Sequence, residues 1–346
     1  MSRVYLDHNA TTPLRTEARA AMISAMDVLG NPSSVHAEGR VAKGLIETAR
    51  AQVAEALGAS GCDIVFTSGA TESAALALAG RGLHGADIEH DAVAAWITPD
   101  LAMVNGQVQI ADPAQSCVQL ANSETGIVQD LPQGVAVSDM TQAFGKLPLA
   151  FNWAGAGMGL VSAHKLGGPK GIGALVFPQG TDVAAQIKGG GQEMGRRSGT
   201  ENIIGIAGFG AAAQAAAQDL ADGKWARIEK LRIILENALA DGANQTIFVG
   251  KENRRLPNTS CFIREGWKGE TQVMAMDLAG FAISAGSACS SGKVKASRVL
   301  KAMGYSEEQA ASAVRVSLGL DTTEAQVLQF AQAWLKAEKR MRSRAA

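Results

Sequence analysis

The sequence has no excess of either charge: Lys and Arg number 32 against 33 Asp and Glu, a formal net charge of −1. That balance removes the electrostatic reason to expect a nucleic-acid or anionic-membrane partner. Cysteine pairs are missing too. Cys62, Cys117, Cys261 and Cys289 are far apart with no CxxC, which argues against a zinc site and against a disulfide framework. No apolar run is long enough to cross a bilayer, since the most apolar stretch, 203–217, is short and rich in Ala and Gly. The opening MSRVYLDHNATTP lacks the basic-then-apolar pattern of a secretory signal, so a reducing cytoplasm is the expected address. Aromatic residues make up only 5%, whereas glycine reaches 39 of 346, well above the usual share of about 7%. The backbone must therefore make many tight turns or close approaches. With 47% hydrophobic and 19% charged residues, the chain is globular rather than disordered or fibrous.

Strand-like and helix-like patterns alternate, which predicts an α/β fold with a largely parallel sheet. Apolar residues every fourth position from Val41 to Leu57 predict a helix over 36–57, stopped by Gly58. Strands are expected at 63–67, 117–121, 135–137, 159–162 and 173–177. A charged amphipathic helix is expected at 225–240 and a basic helix at 324–344, whose basic end suits the helix dipole.

Several segments carry chemistry. Thr67–Ser73 (TSGATES) leads a strand into a helix whose first turn offers free N–H groups, the outline of a phosphate site, although routine capping has the same composition. In the segment SAHKLGGPKG (162–171), Lys165 follows an apolar strand and precedes a glycine-rich turn, where ligands collect in α/β sheets. A partly desolvated Lys165 suits Schiff-base chemistry; the alternative is a loop charge, as for Lys170. Asp139, after the strand-like VAV, suits a pyridinium N–H or a helix cap. His90 is either structural or a catalytic residue placed to stack on a ring and shuttle protons. The segment SAGSACSSG (284–292) has no apolar periodicity and no bulk, so Cys289 is expected on a mobile loop. Lys293, Lys295 and Arg298 are then positioned to favour its thiolate, while the other three cysteines read as structural.

In chain order, these segments resemble the cysteine desulfurases of the class V aminotransferase group, which use pyridoxal 5′-phosphate. The resemblance spans nearly the whole chain. It rests on YLDHNATTP (5–13), GNPSSVHAEGR (30–40), FTSGATES (66–73), EHDAV (89–93), NSETG (122–126), SDMTQAFGK (138–146) and SAHKLGGPKGIGAL (162–175). It continues through GGGQEMGRRSGTEN (189–202), LPNTS (256–260), SAGSACSSG and VRVSLG (314–319). The serine-rich cysteine loop is similar to that of the subgroup serving general iron–sulfur assembly.

The resemblance implies a fold-type I enzyme, with a mainly parallel seven-stranded sheet in a large domain at 13–220. A smaller α+β domain would combine 1–12 with 221–346. It implies that Lys165 carries the cofactor as a Schiff base, Asp139 pairs with the pyridine nitrogen, Gln142 meets the phenolic oxygen and His90 stacks on the ring. Ala70, Thr71, Ser162 and His164 would hold the phosphate, joined by Thr200 from the second subunit of a homodimer. Asn31, Asn122 and Arg315 would bind the substrate L-cysteine, and Cys289 would take its sulfur as a persulfide, leaving L-alanine. A sulfur-acceptor protein such as an iron–sulfur scaffold is the implied partner, with no nucleic acid and no membrane. A selenocysteine lyase or an aminotransferase is the nearest alternative, and a non-catalytic scaffold fits poorly with so many retained residues. The chain is short for the family. Segment 90–122 is compressed, and the dozen residues between Ala121 and Val135 predict a crossover whose helix is lost or vestigial.

Overall fold

The helix expected from the fourfold spacing runs Ala37–Leu57 and buries Ala42, Ile46, Ala49, Val53 and Leu57 along one stripe; Val41 and Leu45, the first two residues of the fourfold set, fall beside it, exposed and half-buried. His36 caps its start through Nδ1, and Gly58 ends it in the left-handed region at φ 60°, where a side chain would also strike the Ala150 backbone. We describe a computed structural model covering residues 3–286 and 296–345.

The Cys62–Thr67 strand opens a four-stranded sheet. Gly173–Pro178 pairs antiparallel with it, Gly159–Ser162 pairs antiparallel with Gly173–Pro178, and Ser138–Asp139 pairs parallel with Gly159–Ser162. Single parallel bridges carry the layer outward from Val137 to Cys117 and from Ser116 to His84, and His84–Gly85 then pairs parallel with Thr98–Pro99. Seven segments thus lie side by side, and the antiparallel pairings are the two that flank Gly173–Pro178. Strand alternation fills both faces. Ile64 and Phe66 face the helices Ala37–Leu57 and Ile203–Ala221, whereas Val65 joins Leu76, Leu160, Leu175 and Phe177 on the opposite side.

The expected strands at 117–121 and 135–137 are a partial correction. They meet through isolated bridges and hydrogen bonds such as Val118 N–H to Val137 O (3.1 Å) and Leu120 N–H to Asp139 O (2.9 Å), not through an unbroken ladder. The chain leaves this row almost at once to form the turn after Asn122, where Gly126 N–H donates to Asn122 O. No helix lies between Ala121 and Val135, as the short crossover requires. The compressed segment keeps the short α-helix Asp91–Ala94, a single 3-10 turn at Pro113–Gln115, and a hairpin of Met103–Val104 with Gln107–Val108. Asn105 and Gly106 turn that hairpin at φ 50° and 79°, the Asn-Gly solution for a two-residue loop.

A second core gathers Val4, Leu6, Ile228, Leu235, Phe262, Phe330 and Trp334. Here the helices Lys224–Gly242 and Glu324–Ala345 accompany an antiparallel sheet in the order Ile247–Phe248, Thr259–Ile263, Ala313–Ser317, Ser284–Ala285. Among the described residues, no helix is long and apolar enough to cross a membrane.

Candidate active site

A cavity of about 660 Å³ opens where the strand ends of the larger sheet meet Ala313–Ser317 and the N-terminal segment. Ala70, Thr71, His90, Asp139, Gln142, Ser162, His164, Lys165 and Arg315 all line it. On one side, Cys62–Thr67 runs through Ser68-Gly69 into the helix Ala70–Leu78, whose first internal bond is Ser73 N–H to Gly69 O. The N–H groups of Ala70, Thr71 and Glu72 are left for a ligand, whereas those of Ser68 and Gly69 are taken by Glu72 Oε2 and Thr67 Oγ1. Gly173 allows the close approach: a side chain there would lie 2.7 Å from the Gly69 carbonyl carbon and from Val161 O.

Lys165 closes the single turn Ala163–Lys165 after Gly159–Ser162. Its Nζ donates to Asn9 O (2.7 Å) and Ala10 O (2.8 Å), so the YLDHNATTP segment forms its cradle. His164 Nδ1 lies 3.1 Å from Thr11 Oγ1. Burial, with Lys165, Lys170 and Lys146 nearby, lowers the His164 pKa to about 4, so its ring is neutral near pH 7. Asp139 Oδ1 accepts from Thr141 N–H (2.9 Å), and Thr141 Oγ1, also on the cavity wall, is buried without a partner. His90 caps Asp91–Ala94, its Nδ1 accepting from Ala92 N–H at 3.1 Å.

Opposite Lys165, Arg315 donates from Nη2 to Asp7 Oδ1 (2.7 Å) and from Nη1 to Ser123 O (3.1 Å). Ser284 Oγ donates to the other oxygen of Asp7 at 2.9 Å, which fixes the carboxylate that aligns Arg315. The Arg315 Nε is buried without a partner. Glu124 is buried on the same wall with Oε1 unpartnered, and burial raises its pKa to about 7. Thr141 Oγ1, the open N–H groups at the start of Ala70–Leu78, neutral His164 and the Arg315 guanidinium together suit an anionic, hydrogen-bonding ligand.

Three expected residues lie elsewhere. Asn122 is buried away from the cavity: Oδ1 accepts from Glu124 N–H and Thr125 N–H (2.9 and 2.8 Å), and Nδ2 donates to Ile88 O at 3.2 Å. Its neighbours Ser123 and Glu124 reach the cavity instead. Asn31 is exposed and holds its own turn, Oδ1 accepting from Ser33 N–H at 2.9 Å. Thr200 borders a smaller cavity of about 240 Å³ that shares Ser68 and Gly171 with the main one. Cys289, with Lys293 and Lys295, lies outside the described residues. Arg298, expected to favour the Cys289 thiolate, is paired among the described residues with the 87–91 segment. Its guanidinium is held by Asp87 Oδ1 (2.6 Å), Asp91 Oδ1 (3.0 Å) and Glu89 O (2.7 Å). Cys117 and Cys261 are buried and their thiols are pushed up in pKa by that burial, in keeping with structural roles.

The contributions of Asp7, Asn9, Ser123 and Glu124 escape sequence reasoning. Short polar residues in loops give no periodic signal, and only the fold brings residues 7 and 9 beside residues 315 and 165.

The chain belongs to the aminotransferase class-V family, whose model matches residues 4–96 and 84–330. Among its relatives, the cysteine desulfurase of Frankia sp. (strain EuIK1) is 38% identical, over 98% of this chain and 92% of the relative. The IscS-like cysteine desulfurase of Mycobacterium tuberculosis is 34% identical, over 93% of each chain. The NifS-like protein from Rickettsia africae ESF-5 superposes with a TM-score of 0.86 at 31% identity, over 99% of both chains. The α/β architecture is therefore that of the fold-type I enzymes.

Proposed function

We propose that this protein is a pyridoxal 5′-phosphate-dependent cysteine desulfurase that converts L-cysteine to L-alanine and places the released sulfur on Cys289 as a persulfide. The observation that carries the reading is the convergence of Lys165, Asp139, His90, Ser162, His164 and Arg315 on one cavity from separate elements. The relatives named as cysteine desulfurases support the same activity.

In this reading residues 13–220 form the cofactor domain, and 1–12 with 221–346 form the domain carrying the cysteine loop. Lys165 holds the cofactor's aldehyde carbon. The first turn of Ala70–Leu78, Thr71, Ser162 and His164 take the phosphate, with Thr200 contributed across a homodimer. Asp139 faces the pyridine nitrogen, Gln142 the phenolic oxygen, and His90 the ring. The bound cofactor supplies an electron sink for the pair left when the substrate Cα–H is broken. Lys165 Nζ would be the base at that carbon, and Arg315 would hold the substrate carboxylate through its guanidinium fork. The Cys289 thiolate attacks the substrate sulfur. The C–S bond breaks, an S–S bond forms, and the protons return to carbon as alanine and to the terminal sulfur of the persulfide. Sulfur then passes to an acceptor protein, an iron–sulfur scaffold being the kind expected.

Alanine formation from L-cysteine by the reconstituted protein, with and without Cys289→Ala, tests the proposal. Stoichiometric alanine with persulfide mapped to Cys289 is expected. Equal sulfur transfer by the variant, or turnover of selenocysteine alone, would overturn it.

A further inference from the structure

Lys146 is fully buried, and its contacts are amide oxygens: Nζ donates to Gln142 Oε1 at 2.7 Å and to Asn9 Oδ1 at 3.4 Å. Burial of a lysine so far from water is costly and demands a reason. That burial, with Lys165 and Arg315 nearby, pushes its pKa well below the ordinary value. Charged or neutral, the amine has an N–H to give to Oε1.

The other end of the same amide is also specified. Gln142 Nε2 donates to Asn9 O at 3.0 Å, a carbonyl that also receives Lys165 Nζ at 2.7 Å. One Nε2–H is thereby used, and Gln142 itself lines the cavity. Lys146, Gln142, Asn9 and Lys165 form one connected set, with a donor on the oxygen side of the glutamine and an acceptor on its nitrogen side.

We infer that Lys146 is a positioning residue that fixes which end of Gln142 meets the cavity, so that an N–H rather than a carbonyl is offered there. The inference rests on the cofactor reading above: a phenolate oxygen needs a donor at that point, and a carbonyl would repel it. Without Lys146, Oε1 becomes a buried acceptor with no donor, and the amide gains by turning to find one.

The test compares wild type, Lys146→Met, Gln142→Ala and the double variant, each reconstituted with pyridoxal 5′-phosphate. Two quantities are read: the cofactor dissociation constant and the pH midpoint of the visible band of the lysine-bound cofactor. Lys146→Met is expected to weaken cofactor binding about tenfold. It is also expected to raise the midpoint by about half a pH unit or more, because a phenolate without its donor holds the neighbouring proton more tightly. In the Gln142→Ala background the same substitution adds nothing to either quantity. Wild-type values in Lys146→Met, or an undiminished shift in the Gln142→Ala background, would overturn the inference. If Lys146→Met does not fold, a crystal structure of the wild-type holoenzyme decides. Lys146 Nζ on the Gln142 side chain, with Gln142 against the phenolic oxygen, supports the inference; the absence of either contact refutes it. A wild-type protein with no visible band at all sinks the cofactor reading itself, an outcome distinct from a normal wild type with an unresponsive variant.

Discussion

Glu89 offers the sharpest stability experiment. Its side chain is fully buried; Oε1 accepts from Gln119 N–H at 2.9 Å, and Oε2 has no partner. Burial raises its pKa from 4.5 to about 8, with the Asp139 carboxylate adding to the rise and the Gln119 N–H and Arg298 opposing it. The folded protein therefore keeps a proton on Glu89 that the unfolded chain has already lost. This contribution to stability is fully present below pH 4.5 and is lost as pH rises to about 8. At 1.36 kcal/mol for each pH unit, the loss across that interval amounts to roughly 4–5 kcal/mol. Glu89→Gln keeps an oxygen for the Gln119 N–H but cannot ionise. Its buried NH2 changes stability by a constant amount, so the informative quantity is the pH dependence. Urea unfolding of both proteins at pH 5, 6, 7 and 8 should show wild type losing stability relative to the variant at each step. Parallel curves from pH 5 to 8 would refute the reasoning, because they would mean that folding leaves the affinity of Glu89 for its proton unchanged.

Arg315→Lys replaces a guanidinium fork, held by Asp7 and Ser123, with a point charge; KM for L-cysteine should rise about tenfold to a hundredfold in steady-state kinetics, the equivalent of ~1.5–3 kcal/mol. Glu236→Ala strands Arg255, which now makes two buried bonds to that carboxylate at 2.8 and 3.0 Å. It also removes the acceptor of Ser260 Oγ, so chemical denaturation should register a loss of about 3–5 kcal/mol. Arg298→Ala, by contrast, breaks pairs whose guanidinium side is 36% exposed, and stability in the same assay should fall by about 1 kcal/mol or less.

How much of this was legible beforehand differs from element to element. The helix Ala37–Leu57 was readable because apolar residues recur along it and a glycine ends it, whereas the cap by His36 emerged only in the structure. Lys165, Asp139 and the turn into Ala70–Leu78 were readable because ligand sites of α/β sheets gather at strand ends, and their residue types are distinctive. The segment 117–121 was legible as strand-like, but not as a row of single bridges, since the length of a ladder depends on where the neighbouring chain turns away. Asn105-Gly106 turns a hairpin whose strands are two residues each, too short for an alternating pattern to show in the sequence. Asn122 and Ser123 differ by one position, and nothing local says which faces the cavity; the turn that consumes the Asn122 amide decides it. The placing of Asp7 on Arg315 and of Lys146 on Gln142 belongs to tertiary structure alone.

Three lysines stand close enough to compete for the cofactor: Lys165 and Lys170 on the cavity wall, and Lys146 behind Gln142. Reconstitution with pyridoxal 5′-phosphate, reduction with borohydride and peptide mapping by mass spectrometry separates them in one experiment. The account predicts a pyridoxyl group on Lys165 and on no other residue. A label on Lys146 or Lys170, or no label at all, would contradict it.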